Sequence, residues 1–130
     1  MIEIYNKHCD ANKLQGGLLV AEMSSKNNLI DEKYTTKTID IANKYRNSIC
    51  GFISQSKISA NDYLYMTPGV SITDKSDKND QQYMSPYDVI YKKKSDIIIV
   101  GRSIINSDDI LEETLKYKNM GWNSYLSRIN

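Results

Sequence analysis

The chain has 130 residues, with 17 basic and 16 acidic side chains and a net charge of +1. That length bounds it to one domain with a single core, and the near-neutral balance excludes a strong field drawing it to nucleic acid or an anionic membrane. No run approaches the about 20 apolar residues of a membrane span, and no N-terminal segment has signal length, so a soluble, cytoplasmic chain is expected. Cys9 and Cys50 stand in no metal-ligand or redox spacing. Free thiols in a reducing compartment are therefore expected over a disulfide.

In chain order, residues 2 to 14 read as a weak helix stopped by Gly16-Gly17. Leu18 to Met23 follows as a strand ending in the polar cluster Ser24-Ser25-Lys26-Asn27-Asn28. Tyr34 to Tyr45 carries Ile39, Ile41, Ala42 and Tyr45 near helical spacing, with Thr35 or Thr36 as N-cap. Ile49 to Ile53 is a second strand closing on Ser54-Gln55, and Tyr63 to Met66 a third closing on Thr67-Pro68-Gly69-Val70. The polar segment from Ser71 to Gln82 runs to about a dozen residues, longer than ordinary connections, and is a candidate functional loop. Ser85-Pro86 opens a helix with Pro at its first position and Asp88 in its first turn. Lys92-Lys93-Lys94 closes that helix, where cations complement the macrodipole; no aromatic or arginine cluster joins them to suggest a nucleic-acid patch.

Ile97 to Val100 is four consecutive β-branched residues, the pattern of a parallel strand buried on both faces. It ends in Gly101-Arg102. A guanidinium at the C-terminal end of such a strand lies where α/β folds place ligand groups, and its fork matches a phosphate; an Arg paired with a surface carboxylate is the alternative. Ser107 is read as the cap of a last helix, with Asp108, Asp109, Glu112 and Glu113 as helix-dipole partners. Trp122, Tyr125, Leu126 and Ile129 read as a short closing amphipathic helix. Strand–helix units recurring at intervals of roughly 15 to 35 residues argue for parallel β/α architecture. The strand ends Ser24, Gln55, Thr67-Pro68 and Arg102 would then share one face, the active-site face of a (β/α) barrel.

In this order LLVAEMSSK (Leu18–Lys26), GFISQ (Gly51–Gln55), MTPGV (Met66–Val70), QQY (Gln81–Tyr83) and DIIIVGR (Asp96–Arg102) resemble the second half of orotidine 5′-phosphate decarboxylase, in the eukaryotic form that includes the C-terminal domain of UMP synthase. The likeness runs from about Gly16 to the Gly-Trp-Asn-Ser-Tyr-Leu segment at 121–126. It implies an α/β fold that is the C-terminal half of a TIM (β/α)8 barrel, with four parallel strand–helix units and residues 1–130 as one partial domain. It implies decarboxylation of orotidine 5′-phosphate to UMP in pyrimidine biosynthesis, with no metal and no cofactor. By position, Ser24 resembles the serine that contacts the pyrimidine ring, Gln81 and Tyr83 the loop residues that close over the phosphate, and Arg102 the phosphate clamp, helped by backbone N–H groups near Gly101. Pro68 matches a residue lining the same pocket. Phosphate sites in such barrels lie in the loops after the last two strands, in agreement with this placement.

Taken alone, Ser24 is an ordinary turn residue, and Gln81 and Tyr83 ordinary solvated loop residues. Glu22 is either a functional carboxylate or part of a packed polar layer. His8, the sole histidine, sits on the weak helix and is not read as catalytic. The family's Asp-x-Lys-x-x-Asp array, which carries the chemistry, is missing: Asp74-Lys75 and Asp77-Lys78 have other spacing. No catalytic residue is therefore assigned, and the expected partners are orotidine 5′-phosphate or UMP and a missing N-terminal half or a homodimer partner. Asn27, Ser76, Asp80 and Ser103 stand where the family's loops favour glycine, at a cost of about 1 kcal/mol wherever φ must be positive.

Overall fold

The computed structural model describes residues 3–5, 7, 16–72 and 83–130. Four strands, β1 (Gly17–Val20), β2 (Ile49–Ile53), β3 (Leu64–Thr67) and β4 (Ile97–Ile98), form one parallel sheet in sequential order. The described helices outside the N-terminal segment are α1 (Glu32–Lys44), α2 (Asp88–Lys92), α3 (Arg102–Ile105) and α4 (Ile110–Ile129). Of the expected N-terminal helix, residues 3–5 and 7 are helical; His8, Cys9 and the remainder up to residue 15 lie outside the described residues.

The strand register decides which side chains meet the helices. Leu19, Phe52 and Tyr65 are lateral neighbours and share one face. There Phe52 and Tyr65 join Ala21, Ala42, Ile49 and Tyr63 in the main core, with Leu19 and Ile39 packed against them. Phe52 meets Tyr63 edge-on at 5.0 Å and stacks on Tyr65 at 5.9 Å, geometries that aromatic quadrupoles favour. A second cluster, Val70, Val89 and Tyr117, takes in Ile98 and Val100 beneath α3 and α4.

On the opposite face stand Leu18, Val20, Leu64, Ile97 and Ile99. The expectation that Ile97 to Val100 is buried on both faces is corrected here: Ile97 and Ile99 are 39% and 37% exposed. The run is apolar throughout, as two covered faces require, yet among the described residues only the helix side is covered. A second departure lies between β2 and β3, where residues 54–63 form an irregular crossover in place of a helix. The segment lacks helical apolar spacing and is held by individual hydrogen bonds, among them Lys57 N–H to the Lys93 carbonyl (2.9 Å) and the Tyr65 hydroxyl to the Ser59 carbonyl (3.2 Å).

Helix starts also differ from expectation. Asp31, not Thr35 or Thr36, caps α1, its carboxylate accepting from the Tyr34 amide at 2.8 Å. A carboxylate serves the positive helix end better than a hydroxyl, and the two threonines donate instead to the carbonyls of Asp31 and Glu32 one turn back. Likewise Asp109, not Ser107, caps α4 by accepting from the Glu112 amide at 2.8 Å, while the Ser107 hydroxyl accepts from the Asp109 amide. The closing helix expected at 122–129 is the second half of α4, which runs unbroken through Gly121. A Cβ there would lie 3.5 Å from Ile98 Cδ1, an ordinary van der Waals contact, so the helix has room to continue through this position. Helix α2 starts as expected: the Ser85 hydroxyl accepts from the Asp88 amide (3.1 Å) and donates to its carboxylate (2.7 Å). It closes on Lys92, which pairs with Asp88 at 2.6 Å, and widens to an i→i+5 bond from Lys93 to Asp88.

Candidate functional site

The C-terminal ends of parallel strands expose carbonyls and irregular loops on one rim, and there the chain assembles its candidate site from two regions. The first follows β3. Thr67 is fully buried, its hydroxyl donating to Ser95 Oγ at 2.7 Å while that serine donates to the Tyr65 carbonyl at 3.0 Å. This fastens the end of β3 to the entry of β4. Pro68 then leads into Gly69, whose φ of 75° is left-handed and favours glycine.

Beyond that turn the backbone returns to itself. The Met84 amide donates to the Gly69 carbonyl at 2.9 Å, and the Ser71 amide donates to the Met84 carbonyl at 3.0 Å, so Val70 and Met84 pair in parallel. The Ser103 hydroxyl reaches Ser71 Oγ at 3.4 Å, and the Ile72 amide donates to the Tyr117 hydroxyl at 3.0 Å. This ladder brings the segments bearing Pro68, Tyr83, Gly101 and Arg102 to one part of the rim. Tyr83 is half-buried and Arg102 exposed. A Cβ built on Gly101 would meet no atom within 4 Å, so the space beside its α-carbon is open. Gln81 and the rest of the loop at 73–82, including Ser76 and Asp80, lie outside the described residues.

The second region follows β1. The amides of Ala21 and Glu22 donate to the Ile53 carbonyl at 2.9 and 3.3 Å. The Glu22 carboxylate accepts from the Gln55 amide at 2.8 Å, which makes it a tie between strand ends. Ser24, half-buried, stands two residues further on. Asn27 has φ 55°, so the residue in a glycine-favouring place does adopt the left-handed conformation, which Asn tolerates better than most. Ser24 and Arg102 thus sit above opposite ends of the sheet, three strand spacings or about 14 Å apart along it.

Sequence reasoning did not find three features of this rim: the Thr67–Ser95 pair, the Ser71–Ser103 contact, and the side-chain amide nitrogen of Gln55, which is buried without a hydrogen-bond partner. The serines carry no periodic signal, and their partners lie about thirty residues away in sequence. Among the described residues no group of three or more His, Cys, Asp or Glu is placed to hold a metal ion. No described helix is long and apolar enough to cross a membrane.

The model of the "Orotidine 5'-phosphate decarboxylase / HUMPS family" matches residues 1–117. An orotidine 5′-phosphate decarboxylase of Saccharomycopsis fibuligera is 44% identical, over 89% of this chain and 46% of its own length. The uridine 5′-monophosphate synthase of Bos taurus is 45% identical over 86% of this chain and 24% of its own. Among solved structures, the orotidine 5′-monophosphate decarboxylase of Sulfolobus solfataricus superposes with a TM-score of 0.65 at 17% identity, covering 91% of this chain and 53% of that one. That likeness establishes the fold, a partial α/β barrel. The chain spans about half the length, or less, of the relatives it matches. With a family match across most of its length, this chain belongs to the orotidine 5′-phosphate decarboxylase / HUMPS family.

Proposed function

We propose that residues 1–130 are one partial domain, the phosphate- and pyrimidine-gripping half of an orotidine 5′-phosphate decarboxylase. In this reading Arg102 and Tyr83, with Gln81, clamp the 5′-phosphate beside Pro68 and the open space at Gly101, and Ser24 contacts the pyrimidine. The observation that carries it is the backbone ladder Gly69–Met84–Ser71 together with the side-chain contact of Ser71 with Ser103, which supports a common phosphate pocket for segments distant in sequence. The span from Ser24 to Arg102 suits a nucleotide lying across the rim, base over β1 and phosphate over β3 and β4.

A grip of this kind cannot by itself accelerate decarboxylation. Binding energy from a remote phosphate speeds chemistry only when it is coupled to charges acting at the reacting carbon. The sequence holds no Asp-x-Lys-x-x-Asp array. Turnover to UMP and CO2 is therefore assigned to a complex with a complementary half-barrel that carries it, in the cytoplasm and with no cofactor. Calorimetry with UMP tests the grip: binding should be measurable, and Arg102→Ala should weaken it by ten- to a hundredfold, since a charged hydrogen-bond pair contributes about 1.5–3 kcal/mol. No heat of binding at millimolar UMP would overturn this reading. Co-expression with a complementary half should restore UMP formation. UMP binding without turnover in every combination would instead make the chain a non-catalytic nucleotide-phosphate-binding protein, the reading that the missing array favours.

A further inference from the structure

The loop that carries Ser24 runs from the end of β1 to the start of α1. Among the described residues its larger apolar side chains stand outside the core, Met23 49% and Leu29 98% exposed. A cavity of about 360 Å³ lies against it, lined by Glu22, Asn28, Thr35 and Gln55 among others. A loop laid along a hollow takes its position from hydrogen bonds, because no close-packed surface fixes it.

Two of those bonds flank Ser24. Before it, Glu22 reaches across to the end of β2, its carboxylate accepting from the Gln55 amide at 2.8 Å. The Thr35 hydroxyl of α1 secures the same strand end by donating to the Ala21 carbonyl at 2.9 Å. After it, the Asn28 side chain donates to the Ser25 carbonyl at 2.7 Å and accepts from the Ile30 amide at 2.9 Å. Asn27, left-handed at φ 55°, makes the turn that brings Asn28 back to Ser25.

We propose that Glu22 and Asn28 are positioning residues for base recognition, holding the Ser24 hydroxyl in place to meet a pyrimidine ring. The inference rests on the nucleotide reading and deepens it, since it says what fixes the base end of the site. Neither residue has to touch the ligand. Glu22 contributes more, because an ionised acceptor makes the stronger bond. Without its carboxylate the Gln55 backbone amide loses its acceptor, beside a side-chain nitrogen already buried without a partner, and the strand ends rearrange to satisfy both. The phosphate end is held separately, by the Gly69–Met84–Ser71 ladder and the Ser71–Ser103 contact. The ties at Glu22 and Asn28 therefore act on the base alone.

Calorimetry of the 130-residue chain with UMP and, separately, with ribose 5-phosphate tests this, because the second ligand keeps the phosphate and lacks the base. The wild-type chain should bind UMP more tightly. Glu22→Ala should lower UMP affinity about tenfold, toward that of ribose 5-phosphate, and change ribose 5-phosphate affinity by less than about twofold. Glu22→Gln, which keeps an oxygen acceptor for the Gln55 amide, should restore most of the preference. Should Glu22→Ala not fold, Asn28→Asp decides: it keeps the acceptor for the Ile30 amide, removes the donor to Ser25, and should show the same selective loss. Equal losses for both ligands, or a UMP preference that survives Glu22→Ala and Asn28→Asp alike, would overturn the positioning role and leave the nucleotide reading standing. A wild-type chain that binds both ligands equally would instead refute the base contact at Ser24, and this inference with it.

Discussion

Gly51 is the position at which the sheet tolerates least, and Gly51→Ala turns that into a number. A Cβ there would lie 2.0 Å from the Leu64 carbonyl oxygen and 2.8 Å from its carbon, both in the backbone of β3. Ordinary contact begins at 3.4 Å, so β2 and β3 would have to part by about 1.4 Å at this point. Backbone cannot step aside as a flexible side chain can. Parting of that size takes the flanking ladder bonds from about 3 Å beyond hydrogen-bonding distance. Two buried backbone bonds lost, with their groups unsatisfied, cost about 3 kcal/mol or more. A domain of this size has about 5–15 kcal/mol in total. Urea unfolding followed by circular dichroism should show a loss of at least about 3 kcal/mol, or no cooperative transition at all. A loss under 1 kcal/mol would refute the reasoning, and with it the close approach of β2 and β3 at this glycine.

Gly101→Ala is the converse case. With nothing within 4 Å of the new methyl group, stability should change by less than about 1 kcal/mol; if a phosphate packs there, UMP affinity should fall about tenfold in calorimetry, and unchanged affinity would remove Gly101 from the site. Lys94 holds φ 61° with no glycine's freedom, so Lys94→Gly should raise stability by up to about 1 kcal/mol in thermal unfolding, despite losing the Lys94–Tyr91 ring contact at 4.8 Å. Burial pushes the Tyr65 hydroxyl above its usual 10.0, against the opposing pull of its bond to Ser59. A raised folded pKa means full stability below pH 10 and a decline above it, as the unfolded tyrosine ionises while the folded one stays protonated. Tyr65→Phe should therefore flatten the alkaline limb of the stability curve, at a cost near neutrality of about 1 kcal/mol for the lost bond; an unchanged limb would show that Tyr65 does not set it.

Much of this architecture can be read from the chain because its signals are local. The β-branched run at Ile97, the apolar block at Ile49 and the Ser85-Pro86 helix start each carry a pattern that short-range physics enforces, and an element stands at each, although the last strand spans only Ile97–Ile98 of the four residues expected. Errors gathered where two local signals competed. Asp31 outbid two threonines for the cap of α1, and Asp109 displaced Ser107 at the cap of α4. The crossover between β2 and β3 and the uncovered inner face are not local properties at all. An apolar strand reports that it is suited to burial on both sides; it cannot report whether a partner surface is present. The site divides in the same way. Arg102 and Pro68 announce themselves by following strands, whereas the Ser71–Ser103 contact that joins their loops depends on a turn, a long loop and a helix arriving together.

The most direct test is amide shift mapping by NMR as UMP is titrated into the labelled chain. A shared phosphate pocket predicts that the amides of Val70, Met84, Gly101 and Arg102 move together along one binding curve, with those around Ser24 following the same curve from the base end. Shifts confined to one of these segments, or separate curves for Met84 and Arg102, would show that the rim holds no common nucleotide site.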